Sequence, residues 1–157
     1  MFLLCIIFLN FPLWGVEENP QYEEHRNHIG FLVGSVYNFN EDKVVLGLGA
    51  EYERVLPFWN GLVGLGLATE LVFDEHRHYV LSLLIPFHPV GDLTVFAAPG
   101  LLIVDTEESG IEKRFAVHFG IEYEFELDKI FLAPEIELGF AGDDIHLMVG
   151  VHIGFGF

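Results

Sequence analysis

From residue 28 onward the chain alternates between large apolar residues and residues that are small or polar. The last stretch shows it most plainly. Ile145, Leu147, Val149, Val151, Ile153, Phe155 and Phe157 share one parity, while His146, Met148, Gly150, His152, Gly154 and Gly156 share the other. Successive side chains of a strand point to opposite faces, so a period of two predicts strands, each with one greasy face. Eight strands are predicted, near 28–39, 44–55, 62–73, 78–88, 93–104, 114–126, 130–140 and 145–157, and no stretch shows a convincing helical period. The short segments "NEDK", "PFWNG", "DEHRH", "HPVGD", "DTEESGIEK", "LDK" and "AGDD" supply the turns.

The second face decides between architectures. A soluble sandwich would turn the apolar face inward and present Thr, Ser, Lys, Arg and Glu to water on the other. Here the other face carries Gly30, Gly34, Gly47, Gly49, Gly64, Gly66, Gly120, Gly139, Gly150 and Gly154, with Ala68, Ala98, Ala116 and Ala133 among them. Glycine within a strand marks close approach of another backbone or a bulky side chain. A narrow closed barrel supplies that crowding in its lumen. The apolar face then points outward, and only lipid tolerates an apolar exterior of that extent. Strands of about eleven to thirteen residues also match a tilted bilayer crossing. The fold class is therefore all-β, an eight-stranded antiparallel up-and-down transmembrane β-barrel with short loops, spanning residues 28–157.

Composition agrees and adds a preference. Of 157 residues 52% are hydrophobic, and 24 acidic residues against 7 Lys plus Arg give a formal charge of -17. That balance disfavours nucleic acid, whose binding rests on Lys and Arg at the phosphates, and favours cations. Residues 1–15, "MFLLCIIFLNFPLWG", are too short for a membrane helix and suit a secretory signal, with the cleavage site left open by the poor match at "LWG". That segment holds Cys5, the single cysteine, so the processed chain would form no disulfide. Residues 16–27 are acidic, contain no apolar run and are expected to be a flexible tail.

On these residues the span 28–157 resembles the small eight-stranded outer-membrane β-barrel proteins of Gram-negative bacteria, the group that includes the membrane domain of outer-membrane protein A. The stretches "LGLGAEYE", "FAAPGL" and "FGIEYEFEL" are in that style, and "VGVHIGFGF" resembles the group's C-terminal assembly signal. The resemblance implies a bacterial outer-membrane location, outer-membrane lipid and lipopolysaccharide as surroundings, and a monomer. It also implies that the barrel-assembly machinery reads Val149, Val151, Ile153, Phe155 and Phe157. With the C-terminus on the periplasmic side, "NEDK", "DEHRH", "DTEESGIEK" and "AGDD" become surface loops.

Three functions fit such a barrel. The first is a non-enzymatic structural or surface-interaction role, with Mg²⁺ or Ca²⁺ bridging the acidic loops to lipopolysaccharide phosphates and no other cofactor. The second is a channel or carrier for a small hydrophobic compound, with Leu32, Leu62, Leu84, Phe96, Leu102, Phe131 and Met148 at lumen parity. The third is a lipid-modifying enzyme, which would need Ser109, His76, His78 and Asp105 to converge without any local His-x-Ser motif. The first is preferred, and no catalytic residue is assigned.

The lumen parity also collects charge. Glu51, Glu53, Glu70, Glu122, Glu124, Glu135 and Glu137 fall there with His118 and His152, while Arg54 has lipid-facing parity. If "LDK" closes a tight hairpin, Glu122 lies opposite Glu135, and the "AGDD" turn then brings His152 diagonally beside Glu135. Two opposed carboxylates without a base cannot both stay ionised cheaply, so a proton, a cation or an imidazole must intervene. A polar network of Glu51, Glu70, His118, Glu122, Glu135, Glu137 and His152 that plugs the lumen is the expected outcome. Glu122, Glu135 and His152 are candidate ligands, but an oxygen-rich set with one imidazole names no metal.

Overall fold

The computed structural model describes residues 26–57, 61–74, 78–106, 110–127 and 129–157. The signal segment 1–15 and the tail 16–27 lie outside them, apart from Arg26 and Asn27. The strands are β1 (Asn27–Asn38), β2 (Lys43–Val55), β3 (Gly64–Phe73), β4 (His78–Val90), β5 (Leu93–Thr106), β6 (Gly110–Tyr123), β7 (Phe125–Leu127), β8 (Ile130–Ala141) and β9 (Asp144–Gly156). β7 continues β6 after a one-residue break at Glu124, because Glu122 faces Glu135 and Phe125 faces Leu132 in one unbroken register along β8. The break at Glu124 falls opposite Ala133, next to the position where Tyr123 faces Pro134, which has no N–H to give. Eight staves therefore make the wall.

All neighbours are antiparallel, and the pairing of β1 with β9 closes the sheet on itself. Closure leaves no open edge. Its stagger can be followed through paired residues, from Gly30 to Glu51, Ala68, Ser82, Gly100, Ala116, Ala141 and Asp144. The β1–β9 register, continued past Asn38 and His146 through the bond from Phe39 N to Ile145 O, returns this path to Asn40 opposite Asp144, ten residues beyond Gly30. Asn40 Nδ2 donates to Asp144 Oδ1 there at 2.9 Å. A stagger of ten over eight strands tilts them by about 40° and leaves a radius of about 8 Å, so side chains from opposite walls meet.

Exposure follows the tilt and the pleat. Outward residues such as Phe31, Leu67, Leu81, Ile136 and Val149 are exposed, whereas inward Leu32, Val36, Phe96, Leu102, Phe131 and Met148 are buried. This is an inside-out pattern for water and the ordinary one for lipid. Small inward residues make room for large ones. A Cβ at Gly139 would overlap the imidazole of His146, and one at Gly66 would overlap the carbonyl oxygen of Tyr52 on the adjacent strand.

Most strand ends differ by one or two residues from those predicted, and two of the differences bear on the lumen and the hairpins. β4 runs to Val90, two residues past the predicted end at His88, so His88 lies within the wall and not at its margin. A register shift between Phe87 and Val90 lets the strand absorb Pro89 before it turns at Gly91, whose φ is 48°. β6 begins at Gly110, four residues earlier than predicted, and pairs Thr106 with Gly110, so the β5–β6 hairpin rises as strand where "DTEESGIEK" suggested a loop.

Candidate functional site

The inward apolar residues form clusters. Val80, Leu102, Val104, Ala116 and Ala141 make one apolar cluster, Leu32, Val36, Val72 and Met148 a second, and Leu84, Phe96 and Ala98 a third. Beside them lie three groups of imidazoles and carboxylates. Every described Lys and Arg is exposed, so no described Lys or Arg shares the lumen with these carboxylates.

The group nearest the rim where the chain ends is Glu53, His88 and Thr94, all buried. His88 Nε2 lies 2.9 Å from Glu53 Oε1 and His88 Nδ1 lies 3.0 Å from Thr94 Oγ1. One imidazole thus ties β2, β4 and β5 together, and both ring nitrogens are used.

The middle group is Glu51, Glu122, Glu135 and His152. Glu122 stands directly opposite Glu135, as the tight β7–β8 hairpin predicts, and His152, paired with Ala133 across the β8–β9 hairpin, sits diagonally beside Glu135. Three carboxylates converge on one nitrogen. His152 Nδ1 lies 3.0 Å from Glu122 Oε2, 3.1 Å from Glu135 Oε2 and 3.8 Å from Glu51 Oε1. It hydrogen-bonds Glu122, and both oxygens of Glu135 are left without a hydrogen-bond partner. One N–H cannot serve three acceptors.

The third group, toward the opposite rim, is Glu70, His118, Glu137 and His146. Gly139 on β8 is paired with His118 on one side and His146 on the other, and over this glycine the two rings meet edge to face at 5.1 Å. His118 Nδ1 donates to Glu137 Oε1 at 2.7 Å. Glu70 comes from β3, across the barrel from β8, and its Oε2 lies 3.5 Å from His118 Nδ1. Glu70 Oε1, His118 Nε2 and His146 Nε2 have no hydrogen-bond partner. One internal cavity runs past the last two groups, lined by Glu51, Glu70, His118, Glu135, Glu137 and His152.

All seven residues expected in the lumen network are therefore there, in two groups instead of one. Glu122, Glu135 and His152 do place donor atoms within 4.8 Å of one another, and so do Glu70, His118, Glu137 and His146. Sequence reasoning left out His88, at the junction of the predicted strand 78–88 and the turn "HPVGD", and His146, which carries the same parity as His152 and could have been collected by it. Val149, Val151, Ile153, Phe155 and Phe157 all lie on the outer face beside the β1 seam, where Phe157 and Asn27 exchange backbone hydrogen bonds of 2.9 and 3.0 Å.

The residues weighed for lipid chemistry give no such convergence to describe. His76 and Ser109 lie outside the described residues, and His78 Nδ1 is held 3.0 Å from Asp74 Oδ2. Among the loop carboxylates, Asp144 and Glu112 bind Arg114 at 3.0 and 2.9 Å, and Glu41 lies 3.5 Å from Lys43.

No protein-family model matches the sequence, and no curated protein is similar to it. Solved structures are similar in shape. Neisserial surface protein A aligns with a TM-score of 0.61 at 5% identity, covering 83% of this chain and 96% of its own. The N-terminal β-barrel domain of OprF from Pseudomonas aeruginosa aligns with a TM-score of 0.59 at 15% identity, covering 85% and 99%. Ail, the attachment invasion locus protein of Yersinia pestis, aligns with a TM-score of 0.54 at 12% identity, covering 83% and 96%. With its closed antiparallel wall, apolar exterior and filled lumen, the chain has the fold of the small eight-stranded transmembrane β-barrels of the bacterial outer membrane.

Proposed function

We propose that the chain is a non-enzymatic bacterial outer-membrane protein with a structural or surface-interaction role, resting in lipid and lipopolysaccharide as a monomer. The observation that carries this reading is the packed lumen. Apolar clusters around Met148, Phe96 and Leu102 pack beside the polar groups and fill the lumen with them, so the interior is a core and not a water pore. What remains to meet partners is the exterior and the short hairpins. Neisserial surface protein A and Ail, the attachment invasion locus protein, have the same architecture. In this reading the outward residues of β9, ending at Phe157, are what the insertion machinery recognises, and divalent cations join the hairpin carboxylates to lipopolysaccharide phosphates.

Two measurements on the full-length protein test it. Reconstituted in a planar bilayer, the barrel gives no large conductance steps; on overexpression, lipid A and phospholipid profiles stay unchanged. Large stepwise conductance would establish a pore, and a modified lipid species would establish an enzyme. Either result overturns the proposal.

A further inference from the structure

The buried side-chain atoms without a hydrogen-bond partner are not scattered. Among the described residues they are Glu70 Oε1, His118 Nε2, His146 Nε2 and the two oxygens of Glu135. The Glu53–His88–Thr94 group, built from the same residue types, contributes none of them. Buried polar atoms in native proteins are nearly always satisfied, and those that are not call for a bound water or ion. Three of the five belong to one group that holds two imidazoles and two carboxylates, with a donor atom of each residue within 4.8 Å of the others.

We propose that Glu70, His118 and His146 form a binding site for a divalent transition-metal ion of the Zn²⁺ class, with Glu137 as the residue that positions His118. The roles follow from the atoms. His118 Nδ1 is engaged by Glu137 at 2.7 Å, which directs the free lone pair of Nε2 away from Glu137. A carboxylate on the far nitrogen of a ligating imidazole is the usual support of such a ligand. His146 Nε2 and Glu70 Oε1 supply the second nitrogen and an oxygen, and water completes the shell. His118 and Glu70 are almost wholly buried, at 3% and 8% exposure, so neither has bulk water to turn to.

Donor chemistry selects the ion. Two imidazoles and one carboxylate in a small shell suit Zn²⁺, whereas Mg²⁺ and Ca²⁺ take six or more oxygens. Tetrahedral Zn²⁺ bonds of about 2.0–2.1 Å place ligands about 3.3 Å apart, so binding draws together side chains that already hold a donor atom each within 4.8 Å of the others. Charge agrees as well. Glu70 and Glu137 are pulled together from opposite walls with no described Lys or Arg between them, and a divalent ion leaves the group neutral in a low-dielectric interior. A route exists too. His146 lines a vestibule at the rim of the β1–β2 and β8–β9 hairpins, together with Glu41, Asp74, His78 and Asp144, with Lys43 beside Glu41.

The test uses the full chain refolded into phosphatidylcholine vesicles, titrated with Zn²⁺ by calorimetry and with Co²⁺ by absorption. One Zn²⁺ is expected per barrel, resistant to excess Mg²⁺, together with the intense ligand-field bands of a four- or five-coordinate Co²⁺ site. His146→Gln and Glu70→Gln should each weaken binding at least about tenfold, as loss of a ligand or its support does. His152→Gln, in the neighbouring group, should bind as the unaltered protein does. Absence of saturable Zn²⁺ binding, a purely octahedral Co²⁺ spectrum, or binding lost in His152→Gln but kept in His146→Gln would each overturn the site. Should His146→Gln fail to fold, the Co²⁺ spectrum of the unaltered barrel decides.

Discussion

Replacing Glu135 by Gln tests the middle group, because it removes a charge and keeps the shape. Glu135 is 2% exposed, and neither of its oxygens finds a hydrogen-bond partner. Its attraction to a charged His152 at 3.1 Å would be worth about 5 kcal/mol at an effective dielectric of about 20. Against it stands Glu122, whose oxygen within 4.8 Å repels by about 3.5 kcal/mol on the same scale, with Glu51 adding a further repulsion. Taking the carboxylate out of water costs several kcal/mol more. The sum is near zero or unfavourable. Gln ends the repulsion and the desolvation cost, retains a carbonyl and gains an N–H₂ that can donate to Glu122 or Glu51. The barrel should be unchanged or stabilised by up to about 2 kcal/mol. Urea unfolding in lipid vesicles, followed by intrinsic fluorescence and by the gel shift between folded and unfolded barrel, measures this. A loss of more than about 1 kcal/mol would show that Glu135 holds a favourable ionised pair and would refute the crowding of three carboxylates on His152.

Two further outcomes follow from the same geometry. His88→Ala removes the one partner that both Glu53 and Thr94 bond, leaving a carboxylate stranded beside a cavity, and should cost about 3–5 kcal/mol in the same unfolding assay; a change below about 1 kcal/mol would mean that water replaces the imidazole freely. Gly66→Ala places a methyl against the carbonyl oxygen of Tyr52, a backbone atom that cannot rotate away, and should cost about 1–3 kcal/mol; an unaffected barrel would place the β2–β3 contact elsewhere.

Much of this was readable from alternation alone. Because the side-chain period of a strand is two, the apolar parity of Ile145 to Phe157 fixed both the strand and the face it turns outward, and the same reasoning turned inward the six buried lumen residues and half-buried Glu51, which lines the cavity. The opposition of Glu122 and Glu135 was readable too, since a short hairpin sets its own register. What could not be read was contact across the lumen. Glu70 meets His118 and Glu137 because eight pairings add up to a stagger of ten, and no local pattern reports that total. His88 was hidden differently. Pro89 and Gly91 mark a turn, but the register shift in β4 carries the strand to Val90 before the chain reverses. The early start of β6 was hidden by the polar run at Glu112 and Lys113, whose side chains extend the hairpin above the apolar band.

The reading as a whole stands on which face meets lipid, and site-directed spin labelling in vesicles asks that directly. Nitroxides placed one at a time at Phe31, Val33, Leu67, Leu81, Ile136 and Val149, in a Cys5→Ser background, would be compared with one at Lys43 in the first hairpin. Relaxation by oxygen and by a water-soluble nickel chelate reports the surroundings of each. The inside-out barrel predicts strong oxygen and weak nickel relaxation at all six outward sites, with the reverse at Lys43. Nickel relaxation at the six sites as strong as at Lys43 would place that face in water and contradict the membrane-spanning barrel.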